Sequence, residues 1–132
     1  MVGRKFITIK CFNGEKPYIN LKLQNIKLDE FELSLRLDTG FDGTIMLTDT
    51  IYKYFEVGEL PEDSWFRFKT LNGYVIMKTS RALIDFGNKK METYVLSPRD
   101  FEGKNLIGIG VLKELSILID KVKETCTVNE IL

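Results

Sequence analysis

A chain of 132 residues is long enough for one domain with a buried core, and 44% hydrophobic content is that of a globular protein. Lys plus Arg and Asp plus Glu balance at 19 each, so nucleic-acid binding has no basic footprint. Histidine is absent, which excludes Ser-His-Asp and Cys-His catalysis and any His-ligated metal within the chain.

The longest apolar run, residues 106–112, is too short to span a bilayer, and Met1-Val2-Gly3-Arg4-Lys5 lacks the apolar stretch of a secretory signal. The expectation is one domain, residues 1–132, in a cytoplasmic protein without a membrane partner. Cys11 and Cys126 are too few for a thiolate metal site, and neither metal nor cofactor is expected. They lie near opposite ends and can pair if terminal strands meet; a cytosolic setting favours two reduced thiols.

The pattern along the chain is mostly of period two. Residues 6–11 read as a first strand ending at Asn13-Gly14, and residues 18–23 as a second, with Ile19, Leu21 and Leu23 on one face. A polar turn at 25–30 leads into a third strand, 31–37, and a short β-prone run follows at 44–47. Thr48-Asp49 is placed to cap a short helix over 50–55, which stops before Gly58 and Pro61. Residues 65–70 alternate apolar and basic side chains and then meet Leu71-Asn72-Gly73-Tyr74. Asn-Gly between two β-like runs predicts a hairpin with a type I′ turn. Strands at 74–79, 81–86 and 91–96 follow, the last two joined at Gly87-Asn88. A charged loop spans 97–104, Leu106-Ile107-Gly108 leads into a short helix over 111–115, and β-prone pieces at 117–120 and 124–128 finish the chain. The expectation is one mainly β domain with one or two short helices.

Strand 31–37 delivers Asp38-Thr39-Gly40, followed by Phe41-Asp42-Gly43. Chance alone supplies such a triplet in a chain this long on the order of a few per cent of the time, so its context decides its meaning. One competing reading is calcium: Asp38, Asp42, Gly43, Ile45 and Asp49 fall at EF-hand loop positions. That loop needs helices on both sides and a glutamate at its last place, and here the entering segment alternates like a strand.

Taken together, Leu35-Arg36-Leu37-Asp38-Thr39-Gly40-Phe41-Asp42-Gly43, the hairpin at Leu71 to Tyr74 and Leu106-Ile107-Gly108 before a helix resemble the retropepsin-like (retroviral-type) aspartic proteases and their small prokaryotic relatives. The resemblance covers nearly the whole chain in element order. It implies a closed or partly open β-barrel-like acid-protease fold of a single lobe.

It also implies roles. Asp38 is the catalytic carboxylate, Thr39 locks its turn against the same residue of a partner, and Gly40 lets backbone approach the substrate. Phe41, Asp42, the flap residues Leu71, Asn72, Gly73 and Tyr74, and Ile107 and Gly108 are the expected substrate-binding residues. Two positions depart from the family. Phe41 stands where many members carry a small residue, and Ile109 stands where retroviral enzymes place an arginine that pairs with an acid, here Asp42.

Aspartic-protease chemistry needs two carboxylates close enough to share one proton, and this family is the standard instance of such a coupled pair. The ionised member takes a proton from a bound water, which attacks the scissile carbonyl, and the protonated member donates to the carbonyl oxygen. The chain holds a single Asp-Thr-Gly, so the resemblance implies a homodimer with one Asp38 from each subunit and a polypeptide as substrate. Terminal strands, residues 6–9 or 125–128 or both, are the expected dimer glue. The alternative from another class is a catalytically silent dimeric module that binds peptides without cutting them.

Overall fold

The computed structural model describes residues 5–13, 16–87 and 89–130. Gly14 and Asn88, each assigned to a turn from sequence, lie outside the described residues.

Eleven strands and two short α-helices are formed among the described residues. In chain order the strands are β1 (Lys5–Lys10), β2 (Phe12–Asn13), β3 (Lys16–Gln24), β4 (Glu30–Leu37), β5 (Ile45–Met46), β6 (Phe66–Thr70), β7 (Gly73–Asp85), β8 (Lys90–Pro98), β9 (Leu106–Ile107), β10 (Leu115–Asp120) and β11 (Thr125–Glu130). The helices are α1 (Asp49–Tyr52), continued by a 3₁₀ segment Lys53–Gly58, and α2 (Ile109–Leu112).

One sheet runs β2-β3-β4-β9-β5-β8-β7-β6, and a further β3–β7 pairing closes it into a barrel. The closure is short: Lys22 pairs with Asp85, Leu23 with Ile84 and Gln24 with Leu83. Alternation explains which face turns inward. In β3, Ile19, Leu21 and Leu23 are buried while Asn20 and Lys22 are exposed. Antiparallel pairing sets Ile19 against Leu35, Leu21 against Leu33 and Leu23 against Phe31. With Ile45, Ile84, Val95 and Ile107 these residues fill the barrel, and Tyr52 and Phe55 plug it from the helical segment. Each such side chain contributes roughly 1.5–3 kcal/mol by leaving water.

The Tyr52 hydroxyl donates to Glu59 Oε2 at 2.7 Å, which satisfies a polar group that burial would otherwise leave orphaned. Burial and the neighbouring Glu59 carboxylate together push the Tyr52 phenol far up. Thr48 caps α1 through its main-chain carbonyl, which accepts from Ile51 and Tyr52 N–H at 3.2 and 2.8 Å, and not through its side chain.

Three sequence expectations are corrected here. The strands expected at 74–79 and 81–86 are one strand, β7, of 13 residues. Its burial phase slips at Thr79-Ser80, where consecutive side chains are both fully buried. Thr79 Oγ1 donates to the Met77 carbonyl at 2.8 Å, and the Ser80 hydroxyl donates to the Phe55 carbonyl on the opposite side. Both faces of β7 are covered at this point, so polar residues that look like a break are internal. The second helix is Ile109–Leu112 instead of 111–115: the Gly108 carbonyl accepts from Val111 and Leu112 N–H at 3.1 and 3.0 Å, and Leu115 already opens β10.

The third correction concerns the cysteines. The terminal strands form a separate three-stranded sheet, β1-β11-β10, in which Ile9 pairs with Cys126. Cys11 lies one residue beyond this ladder, and Cys11 and Cys126 are joined in a disulfide with Cα atoms 5.6 Å apart. The expected pair of thiols is therefore a cross-link, buried and packed against Leu37. Among the described residues no helix is long and apolar enough to cross a membrane.

Candidate active site

β4 sits between β3 and β9, and its parallel pairing with β9 aligns Arg36 with Leu106 and Leu37 with Ile107. One residue further the ladder gives way to a turn. Asp38 N–H donates to the Ile107 carbonyl at 3.0 Å, and Phe41 N–H closes the turn on the Asp38 carbonyl at 3.2 Å. The Asp38 side chain helps make this turn: Oδ1 accepts from Gly40 N–H at 3.0 Å. A short carboxylate that bonds the backbone two residues ahead is a self-built turn, which is why Asp followed by Thr-Gly leaves the strand here. A Cβ on residue 40 would lie 3.3 Å from that same oxygen, so Gly40 leaves the carboxylate uncrowded. Thr39 is exposed at the apex.

The loop after the turn is pinned by backbone. Gly108 N–H donates to the Thr44 carbonyl at 2.7 Å, Ile109 N–H to the Phe41 carbonyl at 2.9 Å and Gly110 N–H to the Gly43 carbonyl at 3.0 Å. A Cβ on Gly108 would meet the Phe41 carbonyl at 2.6 Å. Only glycine permits this approach.

Ile107 and Gly108, expected to touch substrate, lie behind the turn in this geometry. The Ile107 side chain is fully buried in the barrel and Gly108 is buried under the loop, so both hold the turn from behind.

Phe41 and Asp42 lie on the open side. The Phe41 ring packs at a tilt against Phe68 of β6, with ring centroids 5.7 Å apart, and Asp42 is exposed. Gly40, Phe41 and Asp42 line a cleft of about 220 Å³ with Phe68, Val75 and Met77 from the base of the β6–β7 hairpin. The turn and the hairpin thus share one cavity. The hairpin tip residues Leu71, Asn72, Gly73 and Tyr74 are exposed and do not line it.

The tip turn differs from the expected type I′. Thr70 pairs with Gly73, so Leu71 and Asn72 are the loop residues, and of the four only Gly73 has a positive φ, +117°. The Thr70 hydroxyl decides this: it accepts from Asn72 N–H at 3.3 Å and donates to the Gly73 carbonyl at 3.1 Å.

One residue that the sequence reading left without a role stands beside the carboxylate. Arg36 NH2 is 3.7 Å from Asp38 Oδ2, and each of the two side chains is about one-third exposed (32% and 31%). Arg36 is on β4 and Asp38 just past its end, two residues on, where an extended chain returns to the same face. That period was the available signal. The cation near this turn therefore comes from β4, not from position 109, where Ile109 is partly exposed.

Asp49, the last place in the EF-hand spacing, is engaged elsewhere: its Oδ1 accepts from Ser97 Oγ at 2.9 Å and from Lys78 Nζ at 3.4 Å. A larger groove of about 1000 Å³ between β8, the 25–28 turn and α2 includes no residue of the Asp38-Thr39-Gly40 turn.

No protein-family model matches the chain, and no curated protein matches it. Among solved structures, the chain is similar to the EIAV protease complexed with the inhibitor HBY-793, with a TM-score of 0.52 and 18% identity over 74% of this chain and 86% of that one. The fold is therefore the retropepsin-like, single-lobe acid-protease fold, as expected from the order of its elements.

Proposed function

We propose that the chain is an aspartic endopeptidase that acts as a homodimer, with the small prokaryotic retropepsin-like proteins as its kin. The observation that carries this reading is Asp38 itself: a partly exposed carboxylate held by its own turn at a strand end, next to a cleft under a hairpin. The chain supplies one such carboxylate, and a two-fold axis through the turn brings a second from the partner. The two share a proton, activate a water between them and polarise the scissile carbonyl. Thr39, exposed at the apex, faces its counterpart across the axis. The hairpin tip, with Leu71 fully exposed, closes over the bound polypeptide and excludes water.

Dimer pairing through residues 125–128 is unavailable, because β11 is hydrogen-bonded on both sides, to β1 and to β10. The edge of β1, which includes residues 6–9, remains in the proposal. As to location, the cytoplasm inferred from sequence would carry Cys11 and Cys126 as thiols, whereas the disulfide favours an oxidising compartment.

The test is incubation of the protein and of an Asp38→Asn variant with unfolded polypeptide from acidic to neutral pH. Cleavage is expected only from the protein with Asp38; cleavage that persists in the variant removes Asp38 as catalyst. Sedimentation at micromolar concentration is expected to show a dimer, and a lone 15.3 kDa species refutes it.

The Arg36–Asp38 ion pair favours a second reading, a module that binds peptides without cutting them, since it already gives the carboxylate a counter-ion. Binding without cleavage at any pH supports that one.

A further inference from the structure

Arg36 is the cation beside Asp38, and nothing in the turn requires one. The turn is closed by Gly40 N–H and Phe41 N–H, and its base by the Ile107 carbonyl. At 3.7 Å the Arg36–Asp38 contact is an attraction of charges and too long for a hydrogen bond. A guanidinium carries five N–H donors in a planar fork matched to a carboxylate, and this contact engages little of that capacity. The side chain is also about one-third exposed, on the face that carries Asp38.

We propose that Arg36 selects the substrate: it receives an acidic side chain, Glu or Asp, on a residue flanking the scissile bond. The inference rests on the aspartic-protease reading for the placement of that bond. A peptide that puts its scissile carbonyl at Asp38 runs extended through the cleft at roughly 3.3–3.6 Å per residue. The side chain next to that carbonyl therefore starts within one residue of Asp38, and Arg36 lies within that reach. An acidic group there replaces the loose contact with Asp38 by a bidentate, charge-assisted pair. Recognition and chemistry are then coupled, because the substrate that draws Arg36 away leaves Asp38 free to work with its partner. In a symmetric dimer each Asp38 brings its own Arg36, so one guanidinium serves each side of the bond. Asp42, exposed on the same loop, adds negative charge to the cleft, and acidic peptides would be repelled without Arg36.

The experiment uses one peptide library varied at its two central positions, with Glu, Gln and Lys compared in otherwise identical sequences. Cleavage is measured with the protein and with Arg36→Leu and Arg36→Lys. The protein should prefer Glu over Gln on the order of tenfold in kcat/KM, through KM from the charge-assisted contact and through kcat from the release of Asp38. Arg36→Leu should lose the preference while still cutting the Gln peptide, and Arg36→Lys should recover part of it. Equal cleavage of Glu and Gln peptides by the protein, or a preference surviving in Arg36→Leu, overturns the proposal and leaves the protease reading intact.

The same peptides are also titrated against the Asp38→Asn variant by fluorescence anisotropy, with and without Arg36→Leu. Binding selective for Glu and dependent on Arg36 supports the proposal even where no peptide is cut, and that result removes the protease reading alone. Binding indifferent to Glu sinks the proposal whatever the cleavage result. Absence of both binding and cleavage removes both readings.

Discussion

The main-chain N–H of Asp38 donates to the carbonyl of Ile107 at 3.0 Å, so the turn that presents the carboxylate is fastened to β9 and not only to its own strand. β9 in turn enters α2 through Gly108, whose backbone supports the loop beyond the turn. The position of Asp38 thus depends on Gly108, 70 places further along the chain and buried under the loop.

Gly108→Ala tests this dependence. The new Cβ would meet the Gly43 carbonyl, and both the Phe41 carbonyl and the Phe41 ring at 2.6 Å; the two carbonyls are backbone and cannot swing aside. The expected loss of stability is about 1–3 kcal/mol, as for other overpacked sites. Cleavage should fall further than stability does, because the loop that moves carries Phe41. Thermal denaturation and a cleavage assay on the same preparation check both, and wild-type stability contradicts the close approach.

Cys11→Ala with Cys126→Ala probes the cross-link. The disulfide spans a sequence separation of 115 residues, and it lowers the entropy of the unfolded chain. Its removal is expected to cost about 3 kcal/mol, read as a lower urea midpoint. The pair packs against Leu37, next to Asp38, so hydrogen exchange at the Asp38 amide should accelerate as well. A reducing agent should reproduce both effects in the unaltered chain. Identical midpoints with and without reductant speak against the bond.

The hairpin tip makes a contrasting case. Gly73 has φ +117° with open space around its Cα, so Gly73→Ala meets no atom and only backbone strain. The cost is about 1 kcal/mol, confined to an exposed turn. The unfolding midpoint should fall by about a third as much as on removal of the disulfide. KM for peptides should rise, since the hairpin closes less well. An unchanged KM dissociates the tip from substrate.

Asp49 governs part of the acid behaviour. A hydrogen bond from the Ser97 hydroxyl, the largest effect, holds its carboxyl below the ordinary value of 3.8; burial opposes it, and the Glu102 contact and Lys78 add to the lowering. A depressed folded value means that the ionised form is preferred in the folded state. The stabilisation is present above the unfolded value and is lost as pH falls through the folded one. Asp49→Asn should therefore lower the urea midpoint more at about pH 6 than at about pH 3. The effect is modest because the side chain is about half exposed (49%). An equal deficit at both pH values refutes the assignment.

Much of this was written locally. Alternation in 31–37 made β4 legible, and the carboxylate turn followed from Asp38 and Gly40 alone. Even Arg36 was within reach of the sequence, because residues two apart on an extended chain share a face. The hairpin was legible too, but its turn was not. Asn72-Gly73 favours one register, and the Thr70 hydroxyl, bonding on both sides of the loop, selects the neighbouring one.

What the sequence determined by itself was periodicity, turn chemistry and an order of motifs, and these depend on neighbours within a few residues. The tertiary structure decided everything that joins distant residues. It merged two apparent strands into β7 by covering both faces of Thr79-Ser80, and it turned Ile107 inward by placing β9 between β4 and β5. It brought Cys11 to Cys126 by pairing the chain's ends, and in doing so used both edges of β11. A strand's composition carries no record of which strand lies beside it, since backbone hydrogen bonds are the same for every partner; only the closed barrel and the terminal sheet fix that choice.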